Sequence, residues 1–202
     1  MTDTTIDTQT LDWAKGDGLL PAIVQDADTL RVLMLGYMDR AALAETRRSG
    51  RVTFFSRSRQ RLWTKGETSG HFLDLVSVRG DCDSDSLLVL ARPNGPTCHL
   101  QRSSCFADAP GSTLADLALT VAARARALPA GSYTTRLFDS GVRRIAQKVG
   151  EEGVETALAA VAEDDDALLG EAADLAYHLL VLLRARGLGL DALEAKLRER
   201  ER

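Results

Sequence analysis

The hydrophobic pattern of this chain changes its period at Pro110-Gly111, and no other feature restricts the fold as strongly. Before this dipeptide, short apolar runs alternate with turn residues, as in β-strands. After it, apolar residues recur every three or four positions, as in amphipathic helices. We therefore predict two domains: an α+β domain over residues 1–110 with mostly antiparallel strands, and an all-α helical bundle over residues 111–202.

The first half contains four apolar runs that we expect to form strands. Between the first and second runs, Asp39 can cap a short helix over Ala41–Arg48, and Gly50 can end it in a left-handed conformation. The segment Pro93-Asn94-Gly95 has the composition of a turn. The links are too short for repeated helical crossovers, which favours antiparallel pairing. The predicted strands are Leu30–Leu35, Val52–Ser56, Phe72–Val78 and Leu87–Ala91.

The second half contains four predicted helices, and its length of about 90 residues leaves room for only a thin core. One face of the third helix carries leucines that a second copy of the chain could cover, so we expect a homodimer. These leucines are Leu168, Leu169, Leu175, Leu179 and Leu182. The helices are expected from Ser112 or Thr113 to Leu128, then over Gly141–Glu163, Asp165–Arg186 and Leu190–Arg200.

Charge and cysteine content restrict the partners and the compartment. The formal net charge is −4 at pH 7, which argues against general binding to nucleic acid. The longest apolar run, Ala172–Leu183, is interrupted by Asp174 and His178, so we expect neither membrane insertion nor secretion. Three cysteines cannot complete a disulfide framework, and they favour metal or thiol chemistry in the cytoplasm.

Three carboxylates alternate with a thiol and a hydroxyl in Asp81-Cys82-Asp83-Ser84-Asp85. If this segment is extended, Asp81, Asp83 and Asp85 share one face and Cys82 points to the other. Close carboxylates repel one another, so the arrangement favours a hard cation such as Mg²⁺. A solvated turn or a helix cap would explain the same aspartates without a metal.

Cys98 and Cys105 flank a loop and supply two further thiols besides Cys82. Three thiolates suit Zn²⁺ and leave its fourth position to water, which is the ligand set of a catalytic zinc. A single cysteine beside apolar residues is more often an inert small hydrophobic side chain. All three cysteines have polar or charged neighbours, which favours the metal.

The stretch Ser56–His71 combines arginines, a lysine, hydroxyls and glycines, which are the parts of a phosphate-binding loop. A run of surface charge would have the same composition without a ligand. Trp63 could stack on a base, or it could anchor the loop in the core. The residues alone leave both alternatives open.

Two predicted helices each carry charged residues at helical spacing. Lys148 begins the first set and His178 ends the second, and Asp174 lies inside an otherwise apolar stretch. An exposed polar stripe with Lys–Glu pairs is the simpler interpretation. Antiparallel packing of the two helices would instead gather the acids into one pocket that requires Mg²⁺ or Mn²⁺. The acids of that pocket are Glu152, Glu155, Glu171 and Asp174, with Glu151 beside them.

Taken together, the motifs of the first half resemble those of phosphoribosyl-AMP cyclohydrolases over about Leu19–Phe106. This resemblance implies that the three aspartates bind magnesium and the three cysteines bind zinc, with Cys82 shared across a dimer. At Gln101 many relatives are expected to have glycine, which affects the turn of the loop and not its ligands. The matching motifs are Ser56-Arg57-Ser58-Arg59, Leu62–His71, Asp81–Asp85, Cys98-His99 and Ser104-Cys105-Phe106.

The chemistry implied by the resemblance is hydrolytic opening of a purine ring between N1 and C6 by zinc-activated water. Proton transfer is expected from His99 and His71, because imidazole exchanges protons near neutral pH. The basic loop and the magnesium would hold the phosphates and ribose hydroxyls of the substrate. The substrate-binding residues expected in this loop are Arg57, Arg59, Trp63, Lys65 and Ser69.

The second half resembles the all-α nucleoside-triphosphate pyrophosphohydrolases over about Leu114–Arg200. The carboxylate motif of Lys148–Glu155 with Glu171–Asp174 indicates that superfamily, whereas Ser132-Tyr133-Thr134 is similar to phosphoribosyl-ATP pyrophosphohydrolase. The resemblance implies metal-assisted attack of water on phosphorus, with release of pyrophosphate. The catalytic residues expected are Glu152 and Glu155, as metal ligands or base, and Lys148 on a phosphate.

Two other interpretations are open at this point. The helical half could be a general nucleotide pyrophosphohydrolase with a different triphosphate substrate. Alternatively, the first half could be a structural zinc module and the helices a dimerisation bundle, although three cysteines rather than four disfavour this. The two resemblances fall on consecutive steps of histidine biosynthesis, which favours a bifunctional enzyme that takes phosphoribosyl-ATP and then phosphoribosyl-AMP.

Overall fold

The computed structural model of the chain describes residues 10–200, and the chain divides into two compact units between Ser112 and Thr113. Each unit has its own hydrophobic core. The first combines strands with one helix, and the second is built from helices, so the predicted fold class is confirmed. None of the described helices is long and apolar enough to cross a membrane.

Six strands form the frame of the first unit over its described residues, 10–112: β1 (Leu20–Asp26), β2 (Val32–Met38), β3 (Thr53–Ser56), β4 (Arg61–Thr64), β5 (Leu73–Gly80) and β6 (Leu87–Pro93). Four of them make a sheet in the order β2-β1-β6-β5, and β3 and β4 form a separate antiparallel hairpin. In the sheet, β1 pairs antiparallel with β2 and parallel with β6, and β5 pairs antiparallel with β6. The mostly antiparallel pairing predicted from short links is therefore confirmed.

The helix α1 (Arg40–Ser49) matches the prediction to within one residue at each end. The Asp39 carboxylate accepts a backbone N–H of the first turn at 2.7 Å, and Gly50 ends the helix with a φ of 69°. Thr46 then fixes the helix to β3. Its hydroxyl accepts from the Thr53 N–H at 2.9 Å and donates to the Thr53 carbonyl at 3.1 Å.

Two strands, β1 and β4, were not predicted from the sequence. In β1 the residues facing the core alternate with less buried ones, but Pro21 and the polar end of the strand make this two-residue alternation hard to recognise in the sequence. The β4 strand has the composition of a basic loop, and it is a strand because it pairs with β3 across a tight turn. In this pairing Phe54 and Trp63 are opposite each other and stack with 5.8 Å between ring centroids.

As far as residue 200, where the description ends, the second unit is made of four helices: α2 (Thr113–Ala127), α3 (Tyr133–Ala162), α4 (Asp165–Ala185) and α5 (Leu190–Arg198). Glu163 and Asp164 separate α3 from α4, and the Asp164 side chain caps α4 by accepting the Ala167 N–H at 2.9 Å. The core of this unit is small, as its length predicts. It consists of Val121, Leu137, Ile145 and Val181.

Gly141 interrupts α3 with a non-helical φ of 80° and ψ of 167°. Residues with a Cβ rarely adopt such a φ, so the break requires glycine. The predicted helix Gly141–Glu163 corresponds to the part after the break, whereas the part that begins at Tyr133 was not predicted. Ser132 caps that first part by accepting the Thr135 N–H at 3.4 Å.

Gly36 on β2 allows a test of packing in the first unit. A Cβ at this position would lie 2.3 Å from the ring of Phe54, which is only 2% exposed. Gly36→Ala should lower the free energy of unfolding of this unit by about 1–3 kcal/mol, because the buried ring must move under strain. Trp13 and Trp63 are the two tryptophans of the chain and both lie in this unit, so their fluorescence in a denaturant titration measures its unfolding.

The matched control is Gly170→Ala in α4, where an added Cβ meets no atom within 4 Å. This variant should leave the tryptophan transition at its wild-type midpoint, because Gly170 lies in the other unit. A wild-type midpoint in Gly36→Ala as well would contradict the close packing of β2 against Phe54.

Candidate active sites

A cavity of about 510 Å³ lies beside the β3–β4 hairpin in the first unit. Its wall is formed by the hairpin, by the loop that follows β4 and by the loop between Pro96 and Cys105. Both predicted histidines, two of the three predicted thiols and most of the predicted substrate-binding residues line it. These residues are Arg59, Trp63, Lys65, Ser69, His71, Cys98, His99 and Cys105.

The loop after β4 folds tightly around Lys65 and His71. Gly66 has a φ of 93°, and a Cβ there would lie 2.5 Å from the His71 carbonyl oxygen, so only glycine allows this approach. Lys65 is buried, and its Nζ donates a hydrogen bond to the same carbonyl at 3.2 Å. Burial lowers the pKa of Lys65, while the nearby Cys105 and Cys98 thiols act in the opposite direction. The loop thus holds a buried ammonium group and an imidazole at the cavity wall.

Cys98 and Cys105 face the same cavity from the two ends of one loop. The Cys105 N–H donates to the Leu33 carbonyl at 2.8 Å, which anchors the loop to β2. The Leu100 N–H points at the Cys98 sulfur at 3.5 Å. Partial burial raises the pKa of the Cys105 thiol, and the neighbouring Cys98 thiol adds to this effect. Two adjacent thiols, one of which accepts a backbone N–H, form a donor set that suits a soft metal ion.

Gln101 lies in the same loop with a φ of 60°, in the left-handed region that glycine prefers. Its N–H bonds to the Cys98 carbonyl at 3.0 Å. The glutamine therefore adopts the backbone conformation that a glycine would take here. Gln101 therefore takes part in the turn at Cys98 although it is not glycine.

The acidic segment Asp81–Asp85 is a turn between β5 and β6, so the strand alternation considered for it is wrong. Ser84 has a φ of 64°, and the Asp81 carboxylate closes the turn by accepting two backbone N–H groups at 3.0 and 3.1 Å. The turn nevertheless brings the three carboxylates to one side, as strand alternation predicted. Oxygens of Asp81, Asp83 and Asp85 lie within 4.8 Å of one another.

Lys15 compensates the charge of this turn from a distant part of the chain. Its Nζ lies 2.7 Å from the Asp83 carboxylate and also pairs with Asp85. These hydrogen bonds from Lys15 hold the pKa of both carboxyl groups below its usual range. Sequence reasoning missed Lys15 because nothing in its local pattern relates it to the turn.

Cys82 lies exposed on the acidic turn and is not among the residues that line the cavity. Its Sγ is 3.9 Å from the Asp83 carboxylate. Among the described residues of one chain, the fold therefore brings Cys98 and Cys105 together and leaves Cys82 apart from them.

A second group of carboxylates, formed by Glu152, Glu155 and Glu171, spans the facing helices α3 and α4. Their oxygens lie within 4.8 Å of one another, and Glu152 is buried. Burial raises the pKa of Glu171, and the charges of Glu155 and Glu152 add to this effect. The fourth predicted acid, Asp174, is exposed and lies outside this group, although its charge also raises the pKa of Glu171.

Two basic side chains contact the buried Glu152. The Lys148 Nζ lies 2.6 Å from its carboxylate and 3.0 Å from Glu151, and the bond from Lys148 lowers the pKa of Glu151. The Nδ1 atom of His178 lies 3.6 Å from the Glu152 carboxylate. The spacing of His178 after Asp174 was visible in the sequence, but no role was assigned to it.

Two of the predicted substrate-binding residues contact aromatic rings of the protein. The Arg57 guanidinium lies 3.8 Å from the centroid of the Tyr37 ring, and Arg57 is not among the cavity-lining residues. Trp63 stacks on Phe54 and also lines the cavity. For Trp63, the anchoring role and access to a ligand are therefore compatible.

A thiol- and imidazole-lined cavity on an α+β unit, with a separate acidic group on a helical unit, defines the class of two-domain, metal-dependent hydrolases. Residues 34–107 match the family model of phosphoribosyl-AMP cyclohydrolase, and residues 114–201 match that of phosphoribosyl-ATP pyrophosphohydrolase. The chain therefore belongs to the family of bifunctional histidine-biosynthesis enzymes that join these two activities.

Full-length similarity supports this membership. The chain is 70% identical to the histidine biosynthesis bifunctional protein HisIE of Xanthomonas axonopodis pv. citri, over 95% of this chain and 93% of that protein. It is 59% identical to the protein of the same name from Escherichia coli K12, over 94% of this chain and 95% of that protein. Membership favours two enzymatic domains over a structural zinc module, and phosphoribosyl-ATP over other triphosphates.

The raised pKa of Cys105 predicts how this thiol reacts. In protein freed of metal by chelation, a raised pKa leaves less thiolate at neutral pH, and only the thiolate reacts with iodoacetamide. Cys105 should therefore be alkylated more slowly than Cys82 near neutral pH, although both residues are exposed, and its rate should rise as the pH becomes alkaline. Mass spectrometry of peptides from a time course measures both rates. Equal rates for the two cysteines at neutral pH would contradict this prediction.

Proposed function

We propose that the chain catalyses two consecutive hydrolytic steps. Residues 111–202 convert phosphoribosyl-ATP to phosphoribosyl-AMP and pyrophosphate. Residues 1–110 then open the adenine ring of phosphoribosyl-AMP between N1 and C6, which gives the formimino-aminoimidazole carboxamide ribotide. The observation that carries this proposal is the cavity in which Cys98, Cys105, His71 and His99 meet the basic loop. Nucleotide ring opening requires those groups within reach of one substrate.

Zinc is the metal that fits the thiols of this cavity. Cys98 and Cys105 would hold it together with Cys82 of a second copy, since Cys82 of the same chain lies apart from them. When bound, zinc lowers the pKa of its water ligand and supplies a nucleophile at neutral pH. His71 and His99 then exchange the protons of the addition, because both line the cavity.

The side chains that line the same cavity are proposed to bind the substrate. Arg59, Lys65 and Ser69 hold the phosphate and ribose groups, and Trp63 offers a ring face to the base. Arg57 requires a change of contact to join them, since it lies over Tyr37.

Magnesium fits the acidic turn, where three carboxylates lie within 4.8 Å of one another. Asp81, Asp83 and Asp85 would hold it. The exposed ammonium group of Lys15 would then lose its ion pairs with Asp83 and Asp85. When bound there, the ion would link the turn to the phosphates of the substrate.

The helical unit is proposed to hold magnesium or manganese on Glu152, Glu155, Glu171 and Asp174. The support for this is the close group of Glu152, Glu155 and Glu171, in which Glu152 is buried. Partial burial raises the pKa of Glu171, and the charges of Glu155 and Glu152 add a repulsion that a divalent cation would relieve. When bound by these residues, such an ion would supply positive charge for the leaving pyrophosphate and for the attack of water on phosphorus. Glu152 or Glu155 accepts the proton of that water, and Lys148 binds a phosphate.

A homodimer is proposed as the working form, in the cytoplasm where histidine biosynthesis takes place. The separation of Cys82 from Cys98 and Cys105 supports this, because Cys82 of a second copy would complete the zinc site. The helical unit also has large apolar side chains that water reaches. Those on α3 and α4 include Val154, Leu158, Val161 and Leu169.

The zinc assignment predicts that inactive variants complement each other. Purified protein should contain about one zinc per chain, and Cys105→Ser and Cys82→Ser should each lose zinc and ring opening. When the two variants are unfolded, mixed and refolded together, a hybrid dimer has one complete site, so ring opening should return to about a quarter of the wild-type activity. Absorbance of the ring-opened product and metal analysis measure the two outcomes.

The control for this experiment is each variant refolded alone, which should stay inactive. Full zinc content in Cys105→Ser would overturn the thiol assignment. Zinc loss without any recovery on mixing would overturn the shared site and leave a site within one chain.

Separation of the two activities is the direct test of the proposed order of steps. Glu152→Gln should reduce pyrophosphate release by orders of magnitude, because a charged ligand is lost while its shape is kept. The same variant should still open the ring when phosphoribosyl-AMP is supplied. Conversely, Cys98→Ser should cleave phosphoribosyl-ATP and then stall, so that phosphoribosyl-AMP and pyrophosphate accumulate.

Chromatography of the nucleotides and a pyrophosphate assay follow both steps in one incubation. Glu194→Gln is the matched control, because the same substitution on the exposed face of α5 should change neither step. If Glu152→Gln abolished both reactions in a chain that circular dichroism shows to be folded, a single composite site would have to replace the two sites proposed.

A further inference from the structure

We infer that His178 and Tyr133 position the carboxylate of Glu152 in the helical unit. The Ser132-Tyr133-Thr134 motif lies at the start of α3, and through Tyr133 it would help to position one acid of the carboxylate group. His178 and Tyr133 are positioning residues, because they act through Glu152. The inference rests on the proposed function of the helical unit and adds two residues to its site.

Both ring nitrogens of the buried His178 are engaged. Nδ1 lies 2.9 Å from the backbone carbonyl oxygen of Asp174. A carbonyl oxygen only accepts, so Nδ1 carries a hydrogen, and Nε2 hydrogen-bonds with the Tyr133 hydroxyl at 3.1 Å. These two bonds fix the plane of the imidazole.

The fixed imidazole faces the buried carboxylate of Glu152. Its Nδ1 lies 3.6 Å from Oε1, which is too long for a hydrogen bond, and the Nδ1–H already donates to the Asp174 carbonyl, so the imidazole acts on Glu152 as a fixed polar ring packed beside the carboxylate. Lys148 approaches the same oxygen at 2.6 Å from within α3. Glu152 is therefore oriented by one group on its own helix and by another on α4. Both Glu152 and His178 are 4% exposed, so solvent screens this interaction little.

The position of Tyr133 depends on the break at Gly141. A continuous helix would separate Tyr133 from Glu152 by about 28 Å along its axis, and one imidazole could not contact both. The non-helical backbone of Gly141 lies between them and changes the direction of the chain. Opposite nitrogens of His178 can therefore meet the first and the second part of α3.

Thr134 strengthens the same attachment one residue further on. Its fully buried hydroxyl lies 2.8 Å from the Tyr177 hydroxyl and accepts a bond from Arg124 at 3.1 Å. The motif thus makes two adjacent contacts with α4, but only the Tyr133 hydroxyl hydrogen-bonds with the imidazole that faces Glu152, whereas Tyr177 contacts that imidazole through its ring alone. This difference supplies a matched control.

The test measures Mn²⁺ bound to the full-length chain by electron paramagnetic resonance of the free ion. The binding that Glu152→Gln removes defines the helical site. Tyr133→Phe removes only the hydroxyl on Nε2 and should weaken Mn²⁺ at that site about ten-fold, since outer partners of metal ligands commonly contribute about 10–100-fold. Tyr177→Phe removes the neighbouring phenol hydroxyl and should leave the affinity within about two-fold of the wild type.

A second substitution, His178→Asn, keeps an amide donor near the place of Nδ1 and loses the partner of Tyr133. It should weaken Mn²⁺ as Tyr133→Phe does, and the double variant should be no weaker than either single one, because both remove the same orienting bond. Circular dichroism establishes that each variant is folded. If His178→Asn does not fold, Tyr133→Phe carries the test alone, because its partly exposed side chain loses a single atom.

Wild-type Mn²⁺ affinity in folded Tyr133→Phe would overturn the inference. An equal loss in Tyr177→Phe would overturn it as well, since the motif would then act through helix attachment and not through the imidazole. Unchanged Mn²⁺ binding in Glu152→Gln would instead overturn the metal assignment on which the inference rests, so the two failures are distinguishable.

Discussion

Repulsion between clustered carboxylates is the constraint on which both sites of this chain depend. Each unit places three acids within 4.8 Å of one another, and each places a lysine against them. Lys15 contacts the exposed turn and Lys148 contacts the buried Glu152. The two sites share no element of secondary structure, yet both compensate their charge with an ammonium group where a divalent cation is proposed to bind. Such a lysine keeps the acids close together in the absence of the ion.

Elements whose period is clear were predictable from sequence, and elements formed by pairing were not. The cap at Asp39 and the left-handed Gly50 follow from local chemistry, so α1 was found to within one residue. The basic strand β4 exists only because β3 lies opposite it, and its own residues have the composition of a loop. Gly141 marks the break in α3, but sequence alone did not reveal that helix also precedes it.

The residues of the candidate sites likewise fall into those that could be predicted from the sequence and those that could not. The acids, thiols and histidines were identifiable because their chemistry is unusual for their surroundings, and the fold brings most of them together. Their partners were not, since Lys15 and Tyr133 lie far along the chain from the groups that they contact. The misjudged turn at Ser84 has a further cause. A strand and a compact turn can both gather alternate carboxylates, and only the backbone hydrogen bonds to Asp81 distinguish them.

The parallel pairing of β1 with β6 bears on how the chain acquires its structure. β1 lies in the interior of the sheet, and its register joins Ala22 to Leu87, near the opposite end of the unit. A contact of such long range closes slowly, because the entropy of a large loop is lost before the sheet gains its hydrogen bonds. Packing between successive helices requires much smaller loops. During synthesis the first unit emerges earlier, but β1 cannot complete its pairing until β6 has been made. Until then β1 presents an unpaired edge to other chains.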